Sequence, residues 1–145
     1  MIAVGFEPPP SSWLEITQER IDAFAAATDD HQSIHVDPAL AAAGPFGTTV
    51  AHGFLTLSLL VRLWTEVTSS VRGDGVTLNY GLNRVRFPAP VPAGSRIRGR
   101  FRVEAVDEVA GGVQATVAAT VEREGEAKPV CVAELVLRFL DQEES

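Results

Sequence analysis

The sequence predicts an α+β fold in which an antiparallel sheet wraps around one long apolar helix. Helical periodicity dominates the first half of the chain, whereas apolar and polar side chains alternate through most of the second half. Between the halves, residues 53–67 are apolar on almost every side, which is typical of a helix buried on most sides. A chain of 145 residues falls within the usual size of one domain, so we expect residues 1–145 to form a single domain.

Composition restricts the class of protein. The chain is 46% hydrophobic and 21% charged, as in ordinary globular proteins, and its net charge of −7 argues against general binding of nucleic acid. Cys131 is the only cysteine, which excludes an internal disulfide and a cysteine-based metal site. No apolar stretch approaches the roughly 20 residues of a membrane span, and no secretory signal is visible at the N-terminus. We therefore expect a cytoplasmic protein.

The first elements are a short strand and a helix. Residues 13–16 are predicted to form the strand, and Thr17 is a suitable N-cap, with Glu19 near the positive end of the helix dipole. The helix is expected to end near residues 28–30. One face carries the residues at spacings of three and four: Ile21, Phe24, Ala25 and Thr28.

Two irregular stretches flank a short helix before the central one. Residues 30–36 are predicted to be irregular, and Asp37 followed by Pro38 predicts the start of an alanine-rich helix. That helix should stop at residues 44–45. A second irregular stretch then leads into the long helix, in which Phe54 and Trp64 are predicted to be core residues.

Alternation with a period of two predicts three long strands in the second half. Residues 111–112 and 124–126 are predicted to be the hairpin turns between them. Residues 76–87 supply a further strand or two before the proline-rich turn at residues 88–92. The alternating segments are residues 97–105, 113–121 and 131–139.

The three histidines are the strongest chemical signal. His31, His35 and His52 lie within 22 residues, beside Asp29 and Asp30 and at the joints between predicted helices. Loops held by a rigid scaffold are where binding and catalytic groups concentrate. A purely structural role, in which each histidine is an ordinary polar loop residue, remains the alternative.

A metal site is a second alternative. His31 and His35 are four residues apart, as in helical zinc sites, and Asp37 or His52 could complete the ligand set. Asp30 and Ser33, however, favour a loop over a helix at this point. The spacing therefore gives only weak support to a metal.

The same stretch resembles a known motif. Residues 27–38 read ATDDHQSIHVDP and resemble the hydratase motif S/T-G-D-x-N-P-I/L-H-x-D-P of the MaoC-like (R)-specific enoyl-CoA hydratases. The variant D-H-Q-x-I-H-V-D is similar to an actinobacterial branch of that family. Residues 44–59 resemble the next family segment, which ends in H-G-x-L-x-x-S-L, and residues 86–94 resemble F-x-x-P-V-x-x-G. The chain departs from the motif at Asp29, Gln32 and Ser33, where the family has Gly, Asn and Pro.

This resemblance, which covers about residues 15–140, implies a hotdog fold and a dimer. It also implies hydration of trans-2-enoyl thioesters of coenzyme A, or of acyl-carrier protein, to (3R)-hydroxyacyl thioesters, and the reverse dehydration. Asp30 and His35 would be the catalytic acid–base pair that holds the attacking water. The Gly53 N–H, at the start of the central helix, would bind the thioester carbonyl as it gains negative charge. No cofactor and no metal is implied.

Two other functions remain open. One is a hotdog acyl-CoA thioesterase, although such enzymes commonly carry a carboxylate on the central helix and residues 53–65 contain none. The other is a non-catalytic, acyl-thioester-binding subunit of a heteromeric dehydratase. Such subunits tend to lack the Asp/His pair that this chain retains.

Arginines concentrate on the predicted sheet. One interpretation is a cradle for coenzyme A phosphates or for an acidic carrier protein. The favoured interpretation is a solvated outer face, paired across strands with Glu104, Glu122 and Glu124. Six of the twelve basic residues belong to this set: Arg84, Arg86, Arg96, Arg98, Arg100 and Arg102.

Overall fold

The computed structural model describes residues 2–141 and consists of four helices and a five-stranded antiparallel sheet. The strands lie side by side in the order β1-β3-β4-β5-β2. This architecture confirms the predicted α+β class. The elements are β1 Leu14–Glu15, α1 Gln18–Thr28, α2 Ser33–Val36, α3 Pro38–Ala42, α4 Gly53–Thr68, β2 Val76–Arg86, β3 Arg96–Val109, β4 Gly112–Arg123 and β5 Cys131–Leu140.

The core lies between α4 and the concave face of the sheet. Alternate residues point inward and are buried over residues 97–103 of β3, 115–121 of β4 and 131–135 of β5, as the two-residue period predicts, whereas residues 135–137 are buried consecutively. Trp64 of α4 is 2% exposed and packs edge-to-face on Phe101 of β3, with ring centroids 5.3 Å apart. Among residues 2–141 no helix is long and apolar enough to cross a membrane.

Both predicted helix caps are confirmed. The Thr17 hydroxyl accepts a hydrogen bond of 3.1 Å from the Arg20 N–H, and the Asp37 carboxylate accepts one of 3.1 Å from the Leu40 N–H. Helix α1 ends at Thr28, and the residue that caps it, Asp29, has a left-handed conformation with a φ of +59°. That conformation favours glycine, and glycine is the residue that the hydratase motif carries at this position.

Two local predictions were wrong. Residues 30–36, predicted to be irregular, contain the one-turn helix α2. Phe54, predicted to be core, is 70% exposed, and Val61, two turns further along α4, is 46% exposed. The sheet covers only one side of α4, and an apolar composition does not reveal which side of a helix lacks a neighbour within the chain.

The outer face of the sheet supports the favoured interpretation of the arginines. Arg96 pairs with Glu124 at 3.2 Å, while Arg98 and Arg100 both pair with Glu122, at 2.8 and 2.5 Å. Burial alone raises the pKa of Glu122, but the hydrogen bonds and charges of the two arginines lower it further than burial raises it. Glu104, the third predicted partner, forms no salt bridge within the described part of the chain.

Candidate active site

His35 is held at the end of α2 by its own side chain. Its ring Nδ1 donates a hydrogen bond of 2.7 Å to the Val50 carbonyl, and the Val50 N–H donates one of 2.9 Å to the Ile34 carbonyl. Because a carbonyl only accepts, Nδ1 must carry the proton. In the neutral ring, Nε2 is therefore the nitrogen with a free lone pair, and it can accept a proton from water. The residue is buried, with 8% of its surface exposed.

Gln18 fixes the main chain of His35 from the first turn of α1. Its Nε2 donates a hydrogen bond of 2.7 Å to the His35 carbonyl, and its Oε1 accepts one of 2.5 Å from the Thr49 hydroxyl. Gln18 thus joins α1, α2 and the loop before α4. Neither Gln18 nor Thr49 was predicted as a site residue, because a single glutamine or threonine carries no spacing signal.

His52 lies against His35. The two imidazoles are stacked, with centroids 3.8 Å apart and planes inclined by 23°, and the Phe24 ring packs on His52 at 4.8 Å. The His52 Nε2 donates a hydrogen bond of 2.9 Å to the main-chain carbonyl of Asp30. His52 therefore contacts both residues of the predicted catalytic pair.

The carboxylate of Asp30 completes the cluster. One oxygen of this carboxylate and one ring nitrogen each of His35 and His52 all lie within 4.8 Å of one another. A water forming two hydrogen bonds of about 2.8 Å can join groups up to about 5.6 Å apart, so one water fits between such partners. Asp30 is solvent-exposed, and its carboxylate accepts a long hydrogen bond of 3.4 Å from the Gln32 N–H.

Geometry weighs against the metal alternative. His31 is exposed and lies outside the cluster, because α2 begins only at Ser33 and the two histidines do not share a helix. The remaining set is Asp30, His35 and His52. Zinc–nitrogen bonds are about 2.0–2.1 Å and lie in the ring plane, so two rings stacked 3.8 Å apart cannot direct their lone pairs at one ion without rotating.

A cavity of about 350 Å³ opens at the start of α4. His35 and Gly53, two of the predicted site residues, both line it, and most of the remaining wall is apolar, including Val50, Phe87 and Val91. Gly53 is the first residue of α4, and within the described residues its N–H has no hydrogen-bond partner. A free N–H at a helix N-terminus favours negative charge in front of it.

The structure thus places His35 beside Asp30 in the cluster and beside Gly53 in the wall of the cavity, which Asp30 itself does not line, and it leaves His31 outside the cluster. The chemical roles of these residues stay predictions. His52 belongs to the quoted family segment, but it was considered only as a possible metal ligand and no catalytic role was predicted for it.

Comparison with known proteins identifies the family of this chain. Residues 3–126 match the family model described as MaoC like domain. The chain is 56% identical over 139 residues to 3-hydroxyacyl-thioester dehydratase Z of Mycobacterium tuberculosis, covering 95% of this chain and 91% of that protein. It is 48% identical over 132 residues to nodulation protein N of Rhizobium leguminosarum bv. viciae, covering 90% and 82% of the two chains.

The structural comparison identifies the fold. The (R)-hydratase from A. caviae involved in PHA biosynthesis superposes with a TM-score of 0.78 at 26% identity, covering 94% of this chain and 96% of that one. The curved sheet around α4 is therefore the hotdog fold that the resemblance implied. Together, the family match over most of the chain and the close relatives show that this protein belongs to the MaoC-like dehydratase family.

Proposed function

We propose that this protein hydrates trans-2-enoyl thioesters of coenzyme A to (3R)-hydroxyacyl thioesters and catalyses the reverse dehydration. The single observation that carries the proposal is the position of His35, which lines one apolar cavity together with Gly53, the residue with the unpaired helix N-terminal N–H, and lies beside the carboxylate of Asp30. The relatives support it, since one is a 3-hydroxyacyl-thioester dehydratase and one an (R)-hydratase.

Asp30 and His35 would hold the reacting water between them. During hydration the water oxygen bonds to C3, the electron pair of the C2–C3 double bond moves toward C2, and a proton is delivered to C2. One member of the pair accepts the proton that the water loses, and this proton passes to C2 directly or through the other member, so the substrate gains one water and neither residue changes over the cycle. The Val50 carbonyl at 2.7 Å keeps the His35 Nδ1 protonated and so leaves Nε2 as the acceptor.

Gly53 would stabilise the charge that develops on the thioester oxygen. As C3 is attacked, the carbonyl gains enolate character, and a donor already fixed at that position lowers the barrier. The dipole of α4 adds to the effect because the helix points its N-terminus at the cavity. A glycine lets the substrate carbonyl approach the backbone closely.

The thioesterase alternative is less well supported. The only carboxylate on α4 is Glu66, near the other end of the helix, where it accepts hydrogen bonds from Ser12. That position leaves no carboxylate on the helix beside His35. The non-catalytic alternative is disfavoured because the Asp30–His35 pair is complete.

A homodimer completes the proposal. Within the described part of the chain, strand β2 pairs only with β5 and its other edge is unpaired, and its exposed apolar side chains include Leu78 and Tyr80. Free edges with apolar side chains join other strands readily, and α4 exposes Phe54 and Val61 as well. We expect a second copy to cover these surfaces.

Light scattering on the purified chain tests this expectation. Wild-type protein should have the mass of a dimer, whereas Val61→Glu should shift it toward the monomer, and Val61→Leu should not. A monomeric wild-type chain would contradict the homodimer and would direct attention to a heteromeric partner.

The substrate assay uses crotonyl-CoA and follows both enone absorbance and free thiol. Loss of absorbance without thiol release, with a (3R)-hydroxybutyryl product, is the expected result. Thiol release would favour the thioesterase instead. A lack of reaction with coenzyme A thioesters of several chain lengths, but turnover of carrier-protein thioesters, would refute the choice of coenzyme A as the carrier.

A further inference from the structure

We propose that His52 is a positioning residue that holds the Asp30 carboxylate and the His35 imidazole in place relative to each other. This inference rests on the proposed function, since it assigns a role relative to Asp30 and His35. His52 itself is 2% exposed and does not line the cavity at the start of α4.

The first argument is the pattern of its contacts. The His52 Nε2–H donates to the Asp30 carbonyl at 2.9 Å, which fixes the main chain that carries the catalytic carboxylate. The face of the same ring stacks on the His35 ring, with centroids 3.8 Å apart. The Val50 carbonyl separately holds the Nδ1 of His35. One side chain thus restrains the carboxylate through its backbone and the imidazole through its face.

The second argument is an unsatisfied atom. The His52 Nδ1 is buried and has no hydrogen-bond partner among residues 2–141. Because Nε2 donates to a carbonyl, it carries the proton of the neutral ring, and Nδ1 is then a buried lone pair without a donor. Buried polar atoms left unpaired are costly and rare, so an orphan beside a reaction centre indicates that the ring is kept for its other contacts.

The third argument excludes the simplest structural role. His52 occupies the N-cap of α4, yet its side chain makes no capping hydrogen bond. Asn, Asp, Ser or Thr would cap the helix better. Starting the helix is therefore not what requires a histidine at this position.

Two substitutions separate positioning from helix capping. His52→Gln keeps an amide N–H close to the place of Nε2, whereas His52→Asn keeps one close to Nδ1 and is the better N-cap. The planar amide of glutamine can donate to the Asp30 carbonyl and also lie against the His35 ring, so we expect His52→Gln to retain kcat within about threefold; the shorter asparagine can do neither, so His52→Asn should lose about 10–100-fold in kcat, as misplaced catalytic groups do. KM should stay nearly constant in both, and His52→Asn should melt no lower than His52→Gln. His31→Asn, at an exposed histidine of the preceding loop, is the matched control and should match the wild type.

A measurement without turnover keeps this test independent of the substrate. The Nδ1 proton of His35 should exchange slowly with solvent, and so give an NMR signal, in the wild type and in His52→Gln. In His52→Asn its exchange rate should be at least about tenfold higher. If no thioester is turned over, the proposed function fails while this signal still tests the inference. Equal activity in both variants with an unchanged signal would overturn it. Equal loss in both, down to the level of a His35 variant, would overturn it in favour of direct proton transfer by His52.

Discussion

Replacing Gly53 by alanine separates the proposed oxyanion role from the packing of the site. A Cβ at this position would lie 3.1 Å from two carbons of the Phe87 ring and 3.2 Å from a third. Ordinary carbon contacts begin near 3.5 Å, so the ring would have to move by about 0.4 Å. Phe87 is 39% exposed and can yield.

The expected change in stability is therefore small. Overpacking costs about 1–3 kcal/mol, and the partial exposure of Phe87 places this site at the low end. Alanine in a helix recovers up to about 1 kcal/mol relative to glycine. The net loss of unfolding free energy should be about 1 kcal/mol or less, a change in Tm of about 2–4 °C for a chain of this size.

The expected change in activity is large. Alanine keeps the N–H, but its methyl group would stand where the thioester approaches and so deny that donor to the oxygen; losing one such donor typically costs about 10²–10³ in kcat. Hydration of crotonyl-CoA and thermal unfolding should be measured on the same preparations. Full activity in Gly53→Ala would refute the oxyanion role.

A second variant distinguishes the donor from the displaced ring. Gly53→Ala combined with Phe87→Leu gives the new methyl group room, so stability should recover while kcat stays low. Phe87→Leu alone is the control for the lost ring. If the double variant regains the activity of Phe87→Leu, then displacement of the ring, and not obstruction of the N–H, caused the loss.

Three further predictions concern stability and reactivity. Because the φ of Asp29 is +59°, Asp29→Gly should raise the free energy of unfolding by a few tenths of a kcal/mol to about 1 kcal/mol. Asp29→Val should lower it by about 1–2 kcal/mol, and urea unfolding measures both changes. Burial raises the pKa of Cys131 to about 11, so a thiol reagent at pH 8 should label only unfolded protein, and labelling of native protein would show that β5 opens. The pKa of Glu122 is lowered in the folded state, so its ion pairs stabilise the protein above the unfolded-state pKa. That stabilisation is lost as the pH falls through the folded-state pKa. Glu122→Gln should therefore lower the free energy of unfolding at pH 7, and its difference from the wild type should shrink in acid.

Much of the fold could be predicted because its elements bury one face each. Strand β4 and the first halves of β3 and β5 alternate, and that period indicates which side chains point at the core. Strand β2 was predicted only as a strand or two. It is an edge strand, largely exposed on both faces, so its sequence has no reason to alternate.

The composition of the site was harder to predict than its place. His31 and His52 are equally conspicuous in the sequence, yet only His52 packs on His35, because helix α1 and the loop before α4 meet there. Gln18 reaches His35 from 17 residues away along the chain. Such contacts depend on how the helices pack against each other, and no local sequence pattern predicts that packing.

The account depends most directly on the acid–base pair, and kcat of two variants tests it. Asp30→Asn removes a charge from an exposed side chain, and His35→Asn keeps a donor for the Val50 carbonyl while removing Nε2. Each should lower kcat for crotonyl-CoA hydration by about 10²–10⁴, with thermal unfolding within a few degrees of the wild type. Near wild-type turnover in either variant, or a loss of activity that merely follows a loss of folding, would contradict the account.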